Sequence, residues 1–65
     1  MEIIYIITDC KGIFCKACKS FEDVENHLKA RCNLLGLKIT NSYRNLYGYV
    51  FETNRMNFYV KEVEI

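Results

Sequence analysis

One stretch of this sequence constrains the fold more than any other. Phe21, Val24, Leu28, Cys32 and Leu35 recur at steps of three and four, which places one apolar stripe on a helix. Ser20 stands where an N-cap belongs, with Asp23 three residues on in a capping-box pattern. Gly36 stands where a left-handed C-terminal stop belongs. No second stretch has this periodicity. The remainder must therefore pair as strands, and one helix covers only one face of the sheet they form.

The strands are read from β-branched and aromatic runs separated by turn residues. Ile3-Ile4-Tyr5-Ile6-Ile7 is apolar on both faces and reads as an interior strand. Asp9-Cys10-Lys11-Gly12 is a turn, and residues 13–17 are either the second arm of a hairpin or a loop. After the helix, Leu37 and Ile39 begin a short strand, residues 41–45 turn, residues 46–53 form a strand, 54–57 turn, and 58–65 form the last strand. The expected fold is α+β: one amphipathic helix on one face of a three- to five-stranded antiparallel sheet, in the order ββαβββ or βαβββ. At 65 residues the chain makes one small domain, residues 1–65, with a marginal core.

Composition narrows the function classes. The formal charge is +1 and both signs are spread along the chain, so the basic excess that drives non-specific nucleic-acid binding is absent. The longest apolar run, Ile3 to Ile7, is far short of a membrane span. The N-terminus has no signal-peptide pattern, which points to the cytoplasm and to cysteines that are thiols or metal ligands. Abundant Ile, Asn, Lys and Tyr without proline fits an AT-rich genome, such as a low-GC bacterium or its phages.

Strand alternation then sorts side chains. Ile4, Ile6, Leu37, Ile39, Leu46, Val50, Phe58 and Val60 are expected to face the helix. The opposite parity carries Tyr5, Tyr47, Tyr49, Phe51 and Tyr59, with Ile3, Ile7, Val63 and Ile65. Gly48, between two tyrosines, is expected to permit close packing on the helix side. An aromatic face that no helix covers is an interaction surface. The partner is expected to be a protein or a second copy of the chain. The leading expectation is a non-catalytic protein-interaction module, of the kind phages and mobile elements encode as inhibitors of host enzymes or defence systems, acting in the host cytoplasm.

Single-stranded nucleic-acid binding on the same face is the alternative, with Lys38, Arg44, Arg55 and Lys61 as phosphate contacts. Tyr47-Gly48-Tyr49-Val50 resembles the centre of the RNP1 motif of RRM domains, and Ile4-Tyr5-Ile6 resembles the start of RNP2. The resemblance implies aromatic side chains that stack on bases. The sequence departs from that family where Asn45 and Leu46 replace a basic residue and glycine, and where Glu52 occupies an aromatic position.

Cys15 and Cys18 form a C-x₂-C pair, and with Cys32 and either Cys10 or His27 they offer four zinc ligands. Against this, a regular strand over residues 13–18 would point Cys15 and Cys18 to opposite faces, and Cys32 lies on the helix stripe. His27 is expected to be a solvent-exposed residue of the helix flank, and no cofactor is expected. No glycine-rich phosphate loop or Ser-His-Asp arrangement points to catalysis.

Overall fold

The computed structural model describes residues 2–65. The order is β1 (Ile3–Thr8), β2 (Phe14–Cys18), α1 (Phe21–Leu35), β3 (Ile39–Arg44), β4 (Gly48–Thr53) and β5 (Asn57–Glu64). The fold is α+β. The strands form one antiparallel sheet in the order β2-β1-β5-β4-β3, with α1 on one face. Residues 14–18 are therefore a hairpin arm, and ββαβββ is the observed order.

The ends of α1 form as their residues dictate. Ser20 is extended, and its hydroxyl accepts the Asp23 amide at 3.2 Å. At the other end Gly36 adopts φ 70°. The Leu37 amide reaches back to the Cys32 carbonyl at 2.7 Å, and that of Gly36 to Asn33. This six-residue closure needs a left-handed position that glycine adopts without strain. Between the caps Val24, Leu28 and Cys32 are buried. They pack with Ile7, Cys18, Phe51, Phe58 and Val60 of the sheet. Each large apolar side chain so buried contributes about 2 kcal/mol.

Both edge strands are irregular. In β2, Ile7 pairs with Lys16 and Thr8 with Phe14, so Cys15 is an extra residue. In β3, Ile39 pairs with Thr53 and Asn41 with Glu52, so Thr40 is extra. These are β-bulges. The first changes the fate of the cysteines: Cys15, half-buried, packs towards the same core as Cys18. The opposite orientation expected of a regular strand does not occur.

Two short loops fix the rest. Asn45 and Gly48 close the β3–β4 hairpin, the Asn45 side chain accepting the amides of Tyr47 and Gly48 at 2.9 and 2.8 Å. Residues 41–44, expected to turn, instead continue β3. Thr53 and Met56 close the β4–β5 hairpin around Asn54 and Arg55. Gly48 lies where β4 meets β5. A Cβ there would overlap the Val60 carbonyl oxygen, so the close approach that glycine permits is within the sheet and not towards the helix.

Candidate functional site

The paired register sorts the sheet differently from the expected alternation. Residues directly opposite one another on neighbouring strands project to the same face. Tyr49 lies opposite Val60, and Phe51 opposite Phe58. Tyr5 is opposite both Cys18 and Glu62. All of these face α1. Phe21, in the first turn of the helix, meets Tyr5 at 5.9 Å between ring centroids, Tyr49 at 4.5 Å and Phe51 at 6.1 Å. Three of the five expected surface aromatics thus pack under the helix. Of the other two, Tyr47 is exposed in the β3–β4 loop beside Leu46, and Tyr59 alone lies on the uncovered face. Conversely, Ile4, Ile6 and Val50, expected beneath the helix, are on the uncovered face, and Ile3 and Ile7 share the parity of Tyr5. Leu37, Ile39, Phe58 and Val60 do pack on the helix side, and Val63, opposite Ile4, lies on the uncovered face as expected. Ile65 follows β5, largely exposed.

The uncovered face still has an aromatic surface, built from different residues. One line of paired positions crosses all five strands: Phe14 opposite Thr8, Thr8 opposite Tyr59, Tyr59 opposite Val50, and Val50 opposite Tyr43. Large and small side chains alternate along it at the interstrand spacing of about 4.8 Å. Phe14, Tyr59 and Tyr43 are 61%, 40% and 45% exposed, whereas Val50, between the two tyrosines, is only 2% exposed. Val50 is thus covered between Tyr59 and Tyr43, and the line presents three exposed aromatic side chains, with half-buried Thr8 between Phe14 and Tyr59. Beyond it run Ala17, Ile6, Lys61 and Gly48 on one line, then Ile4 and Val63 on the next.

Charge is sparse there. Within the strands, Lys61 and Glu52 are the only charged residues with this parity, on opposite sides of the aromatic row. The Tyr43 hydroxyl donates to Glu52 Oε2 at 3.5 Å. Desolvation, and then the Glu52 carboxylate, hold the Tyr43 phenol above its ordinary value, so it stays a neutral donor.

The expected phosphate contacts do not come together. Lys61 is on the uncovered face. Arg44 projects to the helix side, where it bonds the Tyr49 hydroxyl at 2.9 Å, lies over that ring, and pairs with Glu62 at 3.1 Å. Lys38 follows the helix C-terminus and Arg55 sits in the β4–β5 loop. The two RRM-like aromatic positions, Tyr5 and Tyr49, are also turned towards Phe21.

Cys10 is exposed in the first turn, Cys15 is half-buried, and Cys18 and Cys32 are buried. Among the described residues no three Cys, His, Asp or Glu side chains are grouped to hold a metal. Burial raises the Cys18 and Cys32 thiols above their ordinary range, which keeps them protonated and unreactive at neutral pH. His27 is not the freely solvated residue expected. It is half-buried beside β2, and its Nε2 is enclosed with no hydrogen-bond partner among the described residues. Burial, then the charges of Lys16 and Arg31, lower its pKa.

The helix side has one further concavity. A helix about 10 Å wide cannot span five strands. A groove of about 380 Å³ remains between α1 and the β3 edge, with Cys32, Leu37, Ile39 and Phe51 as its apolar lining and Glu25 and Lys29 among its charged groups. No helix of the described residues is long and apolar enough to cross a membrane. Comparison with protein-family models, with curated proteins and with solved structures finds no match to this chain.

Proposed function

We propose that the chain is a non-catalytic protein-interaction module whose binding surface is the uncovered sheet face. The observation that carries this reading is the aromatic row Phe14–Tyr59–Tyr43, exposed in a face whose strands present only two charges. Contiguous apolar surface of this kind marks interaction sites. Tyrosine suits a binding hot spot because it buries a large ring and keeps a polar tip. The Tyr43 hydroxyl lies 3.5 Å from Glu52 Oε2 and presents its polar tip at the edge of the row. Such a module acts by occupying its partner's surface and so altering the partner's activity.

The test is a doubly substituted chain, Tyr43→Ala with Tyr59→Ala, used as tagged bait beside the wild type in extract of the source cells. The far-UV spectrum should be unchanged, and partner recovery should fall by about tenfold or more. A Tyr47→Ala bait, altered only in the loop, should recover the partner as the wild type does. Undiminished recovery by the folded double variant would remove the face from the binding account. Binding should also vary little with ionic strength, since the face has so few charges to screen.

A further inference from the structure

We infer that the open edge of β3 is a second binding site, which takes a short extended peptide segment into the groove beside α1, the segment carrying an apolar residue followed by acidic ones. The site lies on the helix side and does not depend on what the uncovered face binds.

The backbone selects an extended occupant. The Asn45 amide donates to the Gly48 carbonyl at 2.8 Å, and Arg44, Tyr43 and Ser42 follow opposite Tyr49, Val50 and Phe51. Hydrogen-bonded pairs alternate along an antiparallel ladder. Asn45 and Tyr43 therefore turn their N–H and C=O groups towards β4, and Arg44 and Ser42 turn theirs outwards. β3 ends the sheet, so those outward groups face open space. The bulge at Thr40 denies this edge to a full-length strand but leaves Ser42 to Arg44 regular. A short segment pairs there by strand addition, antiparallel because that ladder is the more stable.

The side chains select its residues. Partners opposite Arg44 and Ser42 project to the helix side, as those two residues do. The groove of about 380 Å³ lies beneath them, and a second concavity of about 240 Å³ continues it towards Arg44. Glu25, Ser42 and Phe51 line both, so Ser42, small and exposed, stands at their junction. An apolar side chain opposite Ser42 enters there and covers half-buried Leu37 and Ile39.

Charge sets the order. Lys29 and Lys38 line the groove together with Leu37 and Ile39, and both are exposed. Among the described residues the one ion pair joins Arg44 to Glu62, so neither lysine has a carboxylate partner. A segment antiparallel to β3 passes Arg44 first and reaches the lysines with its C-terminal part. Its acidic residues therefore follow the apolar one.

The experiment selects a phage-displayed library of random linear peptides against the purified full chain. Enriched sequences should share an apolar residue with aspartate or glutamate shortly after it. A synthetic enriched peptide is then titrated by fluorescence anisotropy. Ser42→Pro removes an outward N–H that the β3–β4 ladder does not use, and edge strands tolerate proline. It should weaken binding about tenfold, the worth of one good hydrogen bond. Lys29→Glu with Lys38→Glu should weaken it by a similar factor, and Tyr59→Ala should leave it unchanged. If Ser42→Pro fails to fold by far-UV spectroscopy, amide hydrogen exchange of the wild type decides instead: the peptide should slow the Ser42 and Arg44 amides about tenfold or more. No enriched pattern overturns the inference, as does exchange at those two amides that the peptide leaves unchanged. Binding that survives Ser42→Pro but is lost with Tyr43→Ala and Tyr59→Ala also overturns it, and moves the peptide to the uncovered face. Protection of the two amides that grows with concentration of the free chain overturns it in favour of a second copy at this edge.

Discussion

Gly48 shows how one atom can control the register of a hairpin. A Cβ at this position would meet backbone, the Val60 carbonyl oxygen, which cannot swing aside as a side chain can. Gly48→Ala must therefore separate β4 from β5, and an expected loss of about 3 kcal/mol should appear as a lowered urea midpoint. His27 sets a pH dependence of definite sign. Its imidazole is held below the ordinary 6.5 in the folded chain by burial and by Lys16 and Arg31. Above 6.5 both folded and unfolded chains hold it neutral, and it has no effect on stability. As the pH falls below 6.5 the unfolded chain binds a proton that the folded chain resists, so stability declines until the pH reaches the lower folded value. Urea midpoints at pH 7.5 and pH 5 should therefore differ more for the wild type than for His27→Gln; equal differences would show that His27 does not govern this window.

At the scale of the element, α1 was fully legible and the faces of the sheet were not. Removing its cap, Ser20→Ala, should cost about 1 kcal/mol in chemical denaturation, because the Asp23 amide loses its acceptor. Gly36→Ala should cost a similar amount, since alanine resists φ 70°. The helix announced itself through residues that act locally: a capping hydroxyl, an apolar stripe, a glycine stop. The faces depend on pairing, and β1 is silent about it because every residue from Ile3 to Ile7 is apolar. For β4 the deciding signal was the parity of a loop length. With Asn54 and Arg55 alone between the closing residues Thr53 and Met56, odd positions of β4 stand opposite even positions of β5. Once Phe58 and Val60 face the helix, Tyr49 and Phe51 must do so too. A four-residue turn over 54–57 would pair Thr53 with Phe58 and keep the same parity, so placing Val50 beneath the helix together with Phe58 and Val60 is inconsistent with either loop length. The exposure of Tyr43 was hidden for a related reason, since residues 41–44 have turn-like composition yet extend β3. The placement of Cys15 depends on the bulge, which no residue type signals.

For the whole molecule, stability rests on the single core between α1 and the sheet. Phe58, fully buried at the centre of the sheet, should cost about 3–5 kcal/mol on change to alanine, enough to unfold a domain this small at ambient temperature.

The extra residues at Cys15 and Thr40 have a consequence for how far association can go. They bend the two outer strands, and those strands carry the only unpaired backbone hydrogen-bonding rows of the sheet. Bent margins make poor templates for a further strand. Growth sideways into ribbons or fibrils is thereby discouraged.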